Sequence, residues 1–302
     1  MRIGLVDLDT SHPGEFVPLL RALGHEVVGV YDGGTVWDDG YAGEFADRHR
    51  IPRVFGSCAD MAAEVDVAFL HGCNWDLRVE RARPFAEAGV GLLVDKPLGG
   101  DLDTIRALLG WERQGVRITG GSSLRWCAEV QDWSAAGRRA EFALTGCSGE
   151  PFDYGIHAYA MLHGLLGAGV FAARHLGGHG QHRVELSWAD GRTGMVSIGA
   201  TAARHPFHAT VLTDGSVSDL RAEPGGLYAR FLAAVLPYLA GEAAAPVPLA
   251  ALAEPELAAL AALVSENDGG RWVSLTDPAL ETVREDGTAF AARYRAAKRD
   301  PA

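Results

Sequence analysis

The chain has 302 residues, of which 48% are hydrophobic and 22% charged, and its formal net charge is -12. This composition is that of a globular protein with room for two domains, and it excludes a disordered chain. The acidic balance opposes binding to nucleic acid or to an anionic membrane surface, since both require positive charge. We therefore expect neither among the partners.

The N-terminal segment has no basic region before an apolar stretch, so no signal peptide is predicted. No uncharged apolar run reaches the roughly 18 residues that span a bilayer. The four cysteines form no C-x-x-C pair, which is typical of reduced thiols. These features favour a cytoplasmic protein.

Residues 1–120 alternate short β-rich runs with helical patterns. This alternation predicts parallel strands joined by right-handed crossovers, in a Rossmann-like doubly wound sheet. Strands are predicted over residues 2–6, 26–31, 65–71, 91–94 and 117–120, and helices over 13–23, 40–49, 77–88 and 102–114.

Residues 121–302 have a different rhythm. The Asp190-Gly191 and Asp214-Gly215 pairs are typical of hairpin turns, so we expect a second α/β domain with an open, mainly antiparallel sheet. Its strands are predicted over 141–145, 184–188, 194–200 and 208–213, and its helices over 156–166, 227–240 and 254–266.

Ligands of doubly wound sheets bind beyond the carboxyl ends of the strands. At one such end, Pro97 fixes its own backbone and restricts Lys96 to an extended conformation. A lysine held there can hydrogen-bond a substrate hydroxyl and a ribose, or transfer a proton if its pKa is lowered. The structural alternative is a surface lysine that precedes a loop.

Asp153 and His157 are four residues apart, and Gly155 favours a helix that begins between them. A carboxylate beside an imidazole can orient it and stabilise its charge, which suits proton abstraction from an alcohol. A structural histidine with a satisfied hydrogen bond is the alternative.

These motifs resemble those of the Gfo/Idh/MocA oxidoreductases. Asp95-Lys96-Pro97 is similar to that family's E-K-P motif, with Asp in place of Glu, and Asp153 to His157 is similar to its D-x-x-x-H motif. Gly72-Cys73-Asn74 resembles its T-P-N segment, and Arg125 resembles the arginine after its sixth strand. Residues 265–273 resemble its closing helix and strand, so the similarity covers nearly the whole chain.

The resemblance implies hydride transfer between NAD(P) and a sugar, cyclitol or related polyol. It implies Lys96 and His157 as acid–base partners, with Asp153 assisting, and a homo-oligomer, either a dimer or a tetramer. Asp32 ends the second strand, where an acidic residue accepts the ribose hydroxyls, which favours NAD over NADP. The alternative for Asp32 is a turn residue. The expected cofactor-binding residues are Asp9, Thr10, Ser11, His12, Asp32, His71, Asn74, Lys96 and Arg125.

One segment departs from this pattern, because Asp7, Asp9 and His12 occupy the three glycine positions of the G-x-G-x-x-G fingerprint. A carboxylate about 4 Å from a phosphate charge costs roughly 1 to 4 kcal/mol. Either Thr10, Ser11 and His12 replace the glycine contacts, or Asp7 and Asp9 exclude the pyrophosphate. The second outcome predicts a non-redox lyase or isomerase without a cofactor; the intact acid–base set argues against a noncatalytic binding protein.

Two groups have the residue types of a metal site: Asp7, Asp9 and His12, and the set His175, His179 and His182. Glycines surround the three histidines, which indicates a loop, and a loop does not impose helical ligand geometry. We therefore expect no metal site.

Overall fold

The computed structural model describes residues 1–178, 180–199 and 205–299. The chain divides into two compact units. The first contains Met1–Gly120, Leu232–Leu249 and the described residues from Asp286 onward, and the second contains Gly121–Phe231 and Ala250–Glu285. His179 and Ala200, which belong to predictions above, lie outside the described residues.

The strands are β1 Arg2–Val6, β2 Glu26–Tyr31, β3 Val67–Leu70, β4 Gly91–Asp95, β5 Ile118–Gly121, β6 Phe142–Ser148, β7 Val170–His175, β8 Gln181–Trp188, β9 Thr193–Gly199, β10 His208–Thr213, β11 Ser216–Arg221 and β12 Val273–Ser274. The α-helices are α1 His12–Ala22, α2 Tyr41–His49, α3 Cys58–Ala62, α4 Arg78–Glu87, α5 Leu102–Arg113, α6 Ala128–Ala135, α7 Ile156–Leu166, α8 Leu227–Leu239, α9 Leu249–Leu252, α10 Glu254–Asn267 and α11 Gly287–Arg299.

The first unit is built on a five-stranded sheet in the order β2-β1-β3-β4-β5. The pairs of β1 with β2, β1 with β3 and β3 with β4 are parallel. Every residue of β3 and β4 is buried, as the continuous apolar runs predict for strands covered on both faces. The strand order reverses between β1 and β3, so the ligand crevice of this sheet lies beyond their carboxyl ends.

The second unit is built on a seven-stranded sheet in the order β11-β10-β6-β9-β8-β7-β12. Its pairs are antiparallel except for β6 with β9, which is parallel. Hairpins form at Asp190-Gly191 and Asp214-Gly215, as predicted. Helices α7 and α10 pack against one face. The predicted fold class, a Rossmann-like sheet plus an α/β domain with a mainly antiparallel sheet, is confirmed.

The division of the chain differs from a single cut into 1–120 and 121–302, because two later segments belong to the first unit. The Arg117 Nε donates to the Leu239 carbonyl at 3.0 Å, and the Phe290 ring lies 5.0 Å from that of Trp75. Pattern reasoning also missed β11, which is a polar and largely exposed strand without apolar alternation. No helix among the described residues is long and apolar enough to cross a membrane.

Candidate active site

The turn between β1 and α1 buries its first aspartate. Asp7 has a φ of 58°, the left-handed conformation that the first fingerprint glycine supplies elsewhere and that aspartate tolerates better than most residues. Its carboxylate accepts the Gly33 N–H at 3.0 Å and pairs with Arg81 Nε at 3.4 Å. Burial raises the pKa of Asp7, and the nearby Arg81 offsets part of that rise.

The second aspartate of the turn is also inside the protein. Asp9 is 0% exposed, and its Oδ2 accepts the Cys73 N–H at 2.8 Å. Burial, together with the nearby Asp7, raises the pKa of Asp9 to about 7. The carboxylate therefore joins the β1 turn to the segment after β3.

Two hydroxyls and an imidazole follow these aspartates, and all three groups are at least partly exposed. Ser11 is the exposed N-cap of α1, Thr10 Oγ1 accepts the His12 N–H at 3.3 Å, and Pro13 lies in the first helical turn. A helix N-terminus with hydroxyl and imidazole donors is the chemistry that binds phosphate. These residues fit a pyrophosphate, because the two acidic side chains lie inside the turn.

Asp32 follows β2, where a ribose is bound in dinucleotide folds. Its Oδ1 accepts the Leu8 N–H at 2.8 Å, and its Oδ2 accepts the Gly34 N–H at 3.3 Å. Asp32 is thus a turn residue whose carboxylate is held in place, and a carboxylate oxygen can accept further hydrogen bonds. This fixed acceptor fits the hydroxyls of a dinucleotide ribose.

Asp95 connects the turn after β1 to the lysine motif after β4. Its Oδ2 lies 2.6 Å from His12 Nδ1 and 2.9 Å from His71 Nδ1, while its Oδ1 accepts the Lys96 N–H at 2.8 Å. Burial alone would raise the pKa of Asp95, but the two imidazoles hold that pKa well below its usual value. The Lys96–Pro97 peptide bond is cis. Asp95 therefore positions both His12 and the backbone of Lys96.

Sequence reasoning missed two arginines of α4 that organise this edge. The buried Arg78 donates to the carbonyls of Leu70, Gly72 and Pro97 at 3.0 to 3.2 Å, and so joins the segments after β3 and β4. Arg81 supplies the counter-charge to Asp7. A signal for them was present, since buried carboxylates at strand ends require a nearby cation or hydrogen-bond donors.

His157 belongs to the second unit. Helix α7 begins at Ile156, after Gly155 and therefore between Asp153 and His157, as predicted. His157 is buried, and its Nδ1 lies 2.7 Å from Ser122 Oγ. Asp153 is half-buried in the turn before the helix. The partner of Nδ1 is thus Ser122, which directly follows β5.

Arg125 and Asn74 have structural partners. Arg125 Nη1 contacts His163 Nδ1, and His163 Nε2 lies 2.7 Å from Glu254 Oε2, so the three side chains form a chain within the second unit. Burial lowers the pKa of Arg125 to about 10. Asn74, in the first unit, accepts the Asp76 N–H at 3.1 Å and thereby caps a short 3-10 helix.

The described residues contain two groups of histidines with a carboxylate. Asp7 and Asp9 take other partners, and His12 joins His71 and Asp95 instead. In the second unit, His175 and His182 lie together beside Glu266. Burial and the nearby His175 lower the pKa of His182, which favours its neutral form.

No protein-family model matches the sequence, and no curated protein sequence matches it. Solved structures do share the fold. The UDP-N-acetylglucosamine 3-dehydrogenase of Acidithiobacillus ferrooxidans is 18% identical, with 88% of this chain and 97% of that chain covered and a TM-score of 0.73. The myo-inositol dehydrogenase of Lactobacillus casei, in complex with NAD(H) and myo-inositol, is 13% identical, with 93% and 99% covered and a TM-score of 0.76.

A third structure, GenD2 from gentamicin A biosynthesis in complex with NAD, is 15% identical, with 90% of this chain and 96% of that chain covered and a TM-score of 0.74. The chain therefore shares the fold of these three structures over about nine-tenths of its length. At these identities the likeness concerns the fold.

Proposed function

We propose that the protein is a divergent Gfo/Idh/MocA-type dehydrogenase or reductase, which transfers hydride between a nicotinamide cofactor and a sugar, cyclitol or related polyol. The observation that carries the proposal is that both aspartates of the β1–α1 turn are buried. Asp7 and Asp9 are buried on protein partners, while Ser11 is exposed and Thr10 and His12 are partly exposed. The repulsion that these two carboxylates would exert on a bound pyrophosphate is therefore much reduced.

The cofactor residues follow from this arrangement. Thr10, Ser11 and His12 would hold the pyrophosphate at the start of α1, and Asp32 would accept the ribose hydroxyls. The negative charge of Asp32 opposes a 2′-phosphate, so we propose NAD rather than NADP. When bound, the nicotinamide supplies hydride transfer.

The remaining assignments concern proton transfer. We assign exchange of the proton of the substrate hydroxyl to Lys96 and His157, with Asp153 assisting, as the motif resemblance implies. Ser122 positions His157 through its hydrogen bond to Nδ1. Asp95 positions Lys96 through the Lys96 backbone N–H.

Cofactor binding is the first test. Calorimetric titration of the purified chain with NAD⁺, NADH and NADP⁺ is expected to show binding of NAD⁺ and NADH, and weaker binding of NADP⁺. A panel of sugars and cyclitols is then screened for a change in reduced-nicotinamide absorbance. Absence of binding at millimolar cofactor contradicts the proposal, and turnover of a carbohydrate without nicotinamide establishes a lyase or isomerase instead.

We also propose that the protein is a cytoplasmic homo-oligomer, a dimer or tetramer, that associates through the sheet face opposite α7 and α10. That face carries Leu212 and Val217, which are 37% and 66% exposed and pair with each other across β10 and β11. Burying such apolar side chains favours association. Light scattering is expected to give a multiple of the chain mass, and a monomeric mass contradicts this proposal.

A further inference from the structure

Two histidines meet at the end of the β7–β8 hairpin. His175 pairs with Val184 in the antiparallel register, and His182 is two residues from Val184 on the same face of β8. Diagonal neighbours of this kind are close enough for long side chains to touch. The two imidazole centroids are accordingly 4.8 Å apart, with the rings inclined by 32°.

A carboxylate from a helix completes the cluster. Glu266 lies in the last turn of α10, which packs against β7. Its two oxygens lie 3.8 Å from His175 Nε2 and 3.8 Å from His182 Nδ1. These separations are too long for hydrogen bonds and are close to the roughly 3.3 Å between ligand atoms around a tetrahedral zinc ion.

The cluster of the first unit provides a contrast. There Asp95 Oδ2 is 2.6 Å from His12 Nδ1 and 2.9 Å from His71 Nδ1, which are hydrogen-bond lengths. An ion at that position would have to push the three side chains apart. The two clusters therefore differ: the carboxylate and imidazoles are hydrogen-bonded in the first, whereas in the second they are 3.8 Å apart and leave room for an ion.

The position of Glu266 in the last turn of α10 would also be stabilised by a bound cation. The carbonyl end of a helix carries partial negative charge, which disfavours an acidic residue in its last turn. The last turn of α10, all of it described, contains no basic residue. The side chains of His175 and His182 are 13% and 15% exposed and that of Glu266 is 45% exposed, so an ion and its water ligands can reach the cluster.

We propose that His175, His182 and Glu266 form a binding site for one divalent transition-metal ion of the zinc type, with water completing its coordination. Two imidazole nitrogens and one carboxylate oxygen form a donor set that zinc accepts. The ion links the end of the β7–β8 hairpin to the carboxyl end of α10 within the second unit. This site departs from the expectation that the chain has no metal site, and it does not depend on the proposed dehydrogenase activity.

Calorimetric titration of the chelator-treated full-length chain with Zn²⁺ tests the site. The expected result is one ion per chain, bound at least about 10-fold more weakly by each of His175→Gln, His182→Gln and Glu266→Gln. His208→Gln is the matched control on the same sheet, and His12→Gln tests the other cluster. Both are expected to bind Zn²⁺ as the unsubstituted chain does.

Two further measurements separate ligation from a general effect on folding. Co²⁺ is expected to give visible absorption typical of nitrogen and oxygen ligation, which the ligand variants lose. Zn²⁺ is also expected to raise the Tm of the unsubstituted chain but not that of the His175→Gln/His182→Gln double variant. Absence of micromolar binding, unchanged binding by the double variant, or loss of binding in His12→Gln overturns the proposal.

Discussion

Replacement of Asp9 by asparagine should change how the stability of the protein depends on pH. Burial and the nearby Asp7 raise the pKa of Asp9 to about 7, from 3.8 in an unperturbed aspartate. Between these values the folded chain keeps a proton that the unfolded chain has released. The folding free energy therefore becomes less favourable as pH rises through this window, because Asp9 must ionise inside the protein.

The size of the effect follows from the shift. About 3 pH units at 1.36 kcal/mol each give a penalty of about 4 kcal/mol above pH 7, of which about 2.5 kcal/mol develops between pH 5 and pH 8. In the Asp9→Asn variant the amide oxygen can accept the Cys73 N–H as the carboxylate does, but the side chain does not ionise. The variant should gain stability relative to the unsubstituted chain as pH rises.

Urea unfolding followed by circular dichroism at pH 5, 6, 7 and 8 measures this difference. Asp103→Asn is the control, because the Asp103 side chain is 93% exposed and its removal should leave the pH profile unchanged. Parallel profiles for the Asp9→Asn variant and the unsubstituted chain would refute the reasoning, since they would mean that Asp9 has the same pKa in both states.

Three other substitutions test the candidate site. His12→Gln should weaken NADH binding about 10-fold or more, because a charge-assisted hydrogen bond to phosphate is lost; unchanged affinity in a fluorescence titration would remove His12 from the cofactor site. His157→Gln should lower kcat by about 100-fold or more at unchanged NADH affinity, and steady-state rates close to those of the unsubstituted chain would exclude His157 as an acid–base group. Arg78→Met should destabilise the first unit by about 3 kcal/mol, because buried carbonyls lose their donor; an unchanged Tm would show that other donors replace it.

Much of the fold could be predicted from the sequence, because periodicity and turn residues are local signals. The strands of the first unit and the Asp-Gly hairpins of the second were located this way. The start of α7 between Asp153 and His157 followed from Gly155, which lies between them. Local signals also placed Lys96 at the carboxyl edge of the sheet.

What the sequence could not show is which side chains meet across the fold. The sequence shows that Asp7 and Asp9 are acidic. It does not show that Asp7 pairs with Arg81 or that Asp9 accepts the Cys73 N–H, because these partners come from other elements. The spacing of His175 and His182 is compatible with a cluster. Glu266 belongs to that cluster because α10 packs on β7, which the spacing does not indicate. Partners of this kind depend on tertiary packing, which residue spacing does not encode.

The order in which the chain builds its first unit has a consequence for synthesis on the ribosome. The five-stranded sheet is complete at Gly121, yet the ring that packs on Trp75 is Phe290 of α11. The N-terminal unit therefore gains this ring contact only after the residues of the second unit have been synthesised. Expression of residues 1–120 alone would yield a fragment that lacks part of its own core.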